Sequence, residues 1–452
     1  MFNTRNFFIS FCLLCLSLPS LCQQRYYVSE EGGGSHSGTS WDNASSDLFA
    51  AVDMAKAGDT IWVAAGRYIG GFYFKDGVTV LGGFRVGMQS LYDRLLPDTD
   101  ENLTILDGDG RFRVLSQSSS AVSPSCYDGF VITGGSGLNG AGAQLGNNNV
   151  LSNCSIQECK GGRPSVGERQ PTMGGIIFDV DTTTNIIYII SEINIGRHYQ
   201  LTRAKDVEAG DATQNYNDWR IPRISEWQKI MYVPTYHVVE HGLKRASRAL
   251  LSDEIFWSQT EASSANMDGA MIADFRCHEI RPANQWQYCR IRPSRSYELT
   301  SASSYGGGIY ATGGVIERCV LQYNKSTYGS GIYARGNVII KNTLLTQNEG
   351  TTALDADGNV TIIDTTDGIN GTVTKKNILT ILSNPIHADG KIVIGNFSPG
   401  SMIATYTMSG LLYGSQYLSN ESTIKAPSTP GVYFINIVGQ TLMSAVKIIV
   451  IP

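Results

Sequence analysis

His237-Val-Val-Glu240-His241 is a literal H-x-x-E-H. On a helix this spacing sets two imidazoles one turn apart, where they can hold zinc while the glutamate polarises a water. Pro234 lies just before the motif and Gly242 just after it, with no periodic apolar helix around them, so the segment reads instead as a solvated loop that binds no metal. Asp355-Ala-Asp-Gly-Asn359 and Asp107-Gly-Asp-Gly110 alternate carboxylates as calcium loops do, but neither has the glutamate that closes such a loop. Both read as turns. Asp107, Asp109, Arg111 and Arg113 supply the residue types of a polysaccharide-lyase groove, carboxylates for calcium and an arginine as base. Charges projecting from turns are the competing reading. No Gly-x-Ser-x-Gly elbow occurs, and Cys277-His278 would be neighbours on a strand, facing opposite ways. The sequence therefore assigns no catalytic residue, no metal and no cofactor.

The elements that must carry these residues are turn-rich. Glycine is 49 of 452 residues and proline only 14; charged residues are 17%, and the net charge is −5 without any long run of Lys or Arg. This excludes disorder, nucleic-acid partners and anionic membrane surfaces. Residues 1–22 hold one Arg, a short apolar core and Pro19-Ser20-Leu21-Cys22, as in a secretory leader cleaved between Cys22 and Gln23. Lipidation at Cys22 is the alternative, opposed by bulky Leu21. No other segment is apolar enough to span a bilayer. Six cysteines follow the leader, too sparse for a disulfide scaffold, and no CxxC pair suggests structural zinc. Cys277 and Cys289 are the candidate disulfide.

A repeat organises the chain. Tyr305-Gly-Gly-Gly-Ile-Tyr-Ala matches Tyr328-Gly-Ser-Gly-Ile-Tyr-Ala, 23 residues on. Each unit is a Gly turn, a short strand, another turn and another strand, which must stack on a neighbour to bury its apolar face. Gly140-Ala-Gly-Ala-Gln-Leu and the run after it belong to the same pattern, with Cys154 falling on Cys319. Adjacent coils should thus be separated by a large insertion. Stacked that closely, Cys154 and Cys319 could bridge or serve as free apolar thiols; the second reading is preferred. Upstream, residues 46–56 have helical periodicity with Ser46 or Asp47 as N-cap, and would close the open end of the coil.

Three resemblances follow from the motifs. Tyr27-Val28-Ser29, Trp41-Asp-Asn-Ala44, Asp59-Thr-Ile-Trp-Val-Ala-Ala-Gly66 and Asp128-Gly-Phe-Val-Ile-Thr-Gly-Gly135 resemble exported right-handed parallel β-helix proteins of the pectin-lyase-like superfamily. Between the coils, Gly174-Gly-Ile-Ile-Phe178, Trp219-Arg-Ile-Pro-Arg-Ile-Ser-Glu-Trp227, Phe256-Trp-Ser-Gln-Thr-Glu261 and Arg290-Ile-Arg-Pro-Ser-Arg-Ser-Tyr297 resemble the Lcl C-terminal family, whose C-type-lectin-like fold occurs in bacterial adhesins. Here a helix capped by Ser225 is expected. Ser383-Asn-Pro385, Lys391-Ile-Val-Ile394, Gly431-Val-Tyr-Phe-Ile-Asn-Ile437 and Lys447-Ile-Ile-Val450 look like the sorting domain of type IX secretion substrates.

The expected architecture is mainly β: a leader (1–22), a β-helix (23–162 and 305–370), an inserted α+β lectin-like domain (163–304) and a C-terminal β-sandwich (378–452). The resemblances imply a surface-attached or secreted protein of a Gram-negative bacterium, delivered by the type IX machinery, that binds a glycan or a host or matrix protein. A glycan-cleaving β-helix enzyme is the alternative. The insert is rich in Trp, with Tyr188, Tyr216, Tyr232 and Tyr236 beside them. Its candidate ligand-binding residues are Trp227, Trp286, Tyr232, Tyr236, Arg223 and Arg292, flat faces and planar donors of the kind that anchor interfaces.

Overall fold

The computed structural model describes residues 23–97, 103–117, 122–170, 173–199, 218–246, 248, 250–252, 254–262, 269–299, 302–363, 378–381, 386–395, 402–407, 412–417, 423–437 and 446–452. The leader with Cys22, Tyr216 and Ser383-Asn-Pro385 lie outside the described residues. The described chain is mainly β, with large curled parallel sheets compatible with a parallel β-helix-like fold.

Short apolar runs between Gly-rich turns cannot bury both ends of their hydrogen-bonding ladder alone, so they stack strand on strand. One parallel sheet runs Arg25–Val28, Thr60–Ala64, Thr79–Phe84, Ser125–Asp128, Asn149–Ser152, Ile309–Glu317, Ile332–Lys341 and Val360–Ile363. A second runs Gly66–Ile69, Thr104–Asp107, Val131–Thr133, Ser155–Gln157, Val320–Gln322 and Leu344–Thr346. A third row of pairings joins Phe72–Tyr73, Leu115–Ser116, Ala143–Leu145, the first halves of Ile309–Glu317 and Ile332–Lys341, and Leu354–Ala356. Register aligns like with like, so Ile61, Val80, Tyr127, Leu151, Ile316, Ile340 and Ile362 form one internal column. Leu106, Ile132, Ile156, Leu321 and Leu345 form another. Both columns belong to a single buried core. Its first end is covered by α1 (Leu48–Met54), which Asp47 caps by accepting a 2.8 Å hydrogen bond from Ala50 N.

Ser155 pairs with Val320, and Val320 with Leu344, so residues 165 apart and 24 apart occupy equivalent neighbouring rungs. Cys154 and Cys319 come together as buried free thiols. The chain between leaves the stack and forms two separate sheets. One is antiparallel (Arg169–Gln170, Gly175–Asp181, Ile186–Ser191, Ser294–Glu298); the other orders Ile195–Tyr199, Cys289–Ile291, Ile255–Glu261, Gly269–Asp274 and Glu279–Asn284. Helices α2 (Ile224–Met231) and α3 (Val233–Arg245) pack against them around Trp227, Phe256 and Phe275.

Five expectations are corrected here. The N-cap of α2 is Arg223, whose N–H donates to Glu226 at 2.7 Å, while Ser225 is already helical. The H-x-x-E-H segment is not a loop but lies within α3; Pro234 occupies its first turn, where a missing N–H costs nothing. Cys277 and His278 sit in a turn, His278 at φ 53°, and Cys277 and Cys289 are both free, one exposed and the other buried. Asp355 lies within the strand Leu354–Ala356 rather than in a turn.

At the C-terminal end, Ile378–Ile381 continues the coil sheet, pairing parallel with Val360–Ile363, and then turns antiparallel to Lys391–Gly395. A five-stranded sheet (Ile386–His387, Val446–Ile451, Gly431–Ile437, Met402–Thr407, Leu412–Tyr417) shares a core with it, including Ile392, Ile424, Ile435 and Ile448. Ile339 of the coil packs on that core.

Candidate functional site

The strongest site lies where α3 meets the coil. Three glycines allow the approach: a Cβ on Gly71 would come within 3.0 Å of Val238 Cγ1, one on Gly167 within 2.7 Å of Val238 Cβ, and one on Gly70 within 3.4 Å of Pro234 Cβ. His237 stacks on Phe49 of α1 with centroids 4.6 Å apart, and its Nε2 lies 3.3 Å from Asp47 Oδ2. One turn on, His241 stacks on Tyr73 at 4.1 Å. The Tyr73 hydroxyl donates to Asp53 at 2.7 Å, and Lys244 reaches the other Asp53 oxygen at 3.5 Å.

Burial sets the protonation of this seam. It depresses His241 to about 4, assisted by the nearby positive charge of Arg245 and opposed by Asp53. His237 is lowered by burial too, against the pull of Asp47. Glu240 faces away from both, accepting from Leu251 N at 2.8 Å and Ser252 N at 3.1 Å. The motif therefore works as a docking face: its imidazoles lie against aromatic rings and its glutamate closes a loop. Among the described residues no group of three His, Cys, Asp or Glu side chains is arranged to hold a metal.

Beside this seam opens a cleft of about 380 Å³, walled by Tyr73, Ser116 and Gln144 of the coil and by Ser165, Glu168, Arg169, His241 and Arg245 of the insert, with Arg113 at its floor. Arg113 is buried; its Nε donates to Gly140 O at 2.9 Å and its Nη2 reaches Glu168 at 3.4 Å. Arg169 is held by both oxygens of Glu192, at 2.7 and 2.9 Å. Arg245 keeps an exposed side chain, yet partial desolvation against the cleft wall and the like charge of Arg113 hold it below its ordinary range.

The coil wall continues out of the cleft as one outward-facing column. Tyr73 pairs with Ser116, Ser116 is level with Gln144, and Gln144 pairs with Tyr310, Tyr310 with Tyr333 and Tyr333 with Asp355. Inward-facing neighbours such as Ile309, Ala311, Ile332 and Ala334 are buried, while Tyr310 and Tyr333 are half-exposed. Their rings are 5.6 Å apart and nearly coplanar in tilt, at 5°. Tyr305 and Tyr328 form a second stacked pair alongside, at 5.2 Å.

No protein-family model matches the chain, and no curated protein matches it. The geometry alone therefore identifies the site.

The residues expected to bind ligand are scattered. Trp227 is fully buried, its Nε1 donating to Trp257 O at 3.1 Å, and Arg292 is buried too, donating to Asn194 at 2.7 Å. Neither can meet a ligand at the surface, because packing inside the insert uses both. Tyr236 packs on Phe275 and His278. Tyr232 (43% exposed), Arg223 and Trp286 (66% exposed) do face solvent, Arg223 and Tyr232 at opposite ends of α2 and Trp286 in the turn after Glu279–Asn284. The suspected lyase group is divided: Asp107 pairs with Arg67, Asp109 pairs with Arg111, and Arg113 turns into the cleft. Sequence reasoning missed the tyrosine column, although its signal stood in the repeat itself, where Tyr310 and Tyr333 hold the same position.

Proposed function

We propose that this is an exported, non-catalytic binding protein: a right-handed parallel β-helix bearing an inserted lectin-like domain and a type IX sorting sandwich, delivered to the outer-membrane surface or beyond it in a Gram-negative bacterium. Its ligand is a glycan lying along the coil. The observation that carries the reading is the column from Tyr73 to Asp355, in which successive rungs about 4.8 Å apart present polar groups and then two half-exposed tyrosines stacked on each other. A stacked pair of half-exposed tyrosines combines apolar C–H surface with two hydroxyl tips, which suits the mixed apolar and hydroxyl surface of a sugar. The glycan-cleaving alternative has weaker support, since its carboxylates are each paired with an arginine away from Arg113. The test is a glycan-binding screen of the mature chain beside the Tyr310→Ala/Tyr333→Ala double variant. Binding that is lost in the double variant supports the reading; binding that survives unchanged refutes it.

A further inference from the structure

We infer that the cleft between the insert and the coil is an oxyanion subsite that takes the carboxylate of an acidic sugar unit, with Arg245 as its principal donor. This rests on the glycan reading and adds the class of sugar. The chain as a whole carries −5, yet the cleft gathers Arg113, Arg169 and Arg245 against Glu168. The three arginines are not equivalent. Arg169 is saturated by Glu192, and Arg113 is tied to Gly140 O and, at a long 3.4 Å, to Glu168. The exposed side chain of Arg245 makes no ion pair or hydrogen bond with any described residue while it lines the same cleft as the like-charged Arg113. An anion placed between them would relieve that repulsion and offer the guanidinium fork the planar acceptor that it matches best.

The walls favour a sugar over a bare ion. Gln144 and Ser116 add neutral hydrogen-bonding groups at the start of the tyrosine column, so a glycan with its acidic unit in the cleft would run directly onto Tyr310 and Tyr333. The volume, about 380 Å³, is at the small end of ligand sites and suits one ring rather than a long segment. His241 is neutral at ordinary pH and adds no charge of its own.

The experiment is calorimetric titration of the full mature chain with three probes: a glucuronate-containing hexasaccharide, the same hexasaccharide with its carboxyls reduced to alcohols, and sodium sulfate. The acidic hexasaccharide should bind about tenfold more tightly than its reduced form. Arg245→Gln should abolish that difference, and Arg245→Lys should restore part of it. Tyr310→Ala/Tyr333→Ala should weaken both sugars alike. Equal affinity for the acidic and reduced sugars, or an unchanged preference in Arg245→Gln, overturns the subsite and leaves the glycan reading standing. Binding of sulfate alone, with no sugar bound, overturns both.

Discussion

Acid should loosen the insert from the coil through the two histidines of α3. His241 has a folded-state pKa of about 4 against an ordinary value of 6.5. A value lowered in this way means that the docked state holds the neutral ring and the unfolded or undocked state takes up the proton first. Stability is thus complete above pH 6.5, falls as pH drops towards 4, and levels off below that. Linkage over this interval gives a loss of about 2.5 kcal/mol between pH 7.5 and 4.5 for His241 alone. His237 contributes in the same direction. The charges facing the pair act on both sides: Asp47 and Asp53 favour protonation, while Arg245, Lys244, Lys75 and His278 oppose it. Equilibrium urea unfolding should be followed by near-ultraviolet circular dichroism at half-unit steps of pH, for the wild type and for His241→Phe, which keeps the stacking on Tyr73. The variant should lose less stability than the wild type over the interval, by about 2 kcal/mol. Parallel curves would refute the assignment, because carboxylates elsewhere act equally on both proteins.

Tyr323 is 51% exposed and held at φ 56°, so Tyr323→Gly should stabilise the protein by about 1 kcal/mol in urea unfolding. Gly167→Ala should destabilise by about 1–3 kcal/mol, since φ is +84° and the new Cβ would meet Val238 at 2.7 Å; the same unfolding midpoints measure it. Removal of residues 382–452 should leave the coil folded but held in the periplasm, as read by surface proteolysis of intact cells; display of the truncated chain would contradict the sorting role.

The coil was legible because its signal is local and repeated. A strand position that recurs every 23 or 24 residues fixes both register and facing, which is why Cys154 could be aligned with Cys319 across a long insertion; Asp47 could be read as a cap because helical periodicity begins right after it. Helix α3 was not legible, since Pro234 reads as a breaker until its place in the first turn is known, Gly242 weakens the local preference, and the contacts that hold the helix come from Phe49 and Tyr73, far away in sequence. Trp227 and Arg292 misled for a different reason: an aromatic ring or a guanidinium looks the same in sequence whether it is inside or at an interface. The cleft brings together residues 113, 144, 169 and 245, which no spacing rule connects.

The stacking of Ser155 on Val320 also constrains the order in which this protein can be made. Closing a loop of 165 residues costs about 2 kcal/mol more than closing one of 23, if the intervening chain is still flexible. A folded insert removes most of that cost, because its two ends already meet: a Cβ on Gly161 would stand only 2.7 Å from Ser304 Cβ. Rungs emerging after residue 305 then find the earlier rungs waiting at the right distance. The insert is thus a clamp in assembly as well as a wall of the cleft, and a variant that slows its folding should stall the second half of the coil with its edge unpaired.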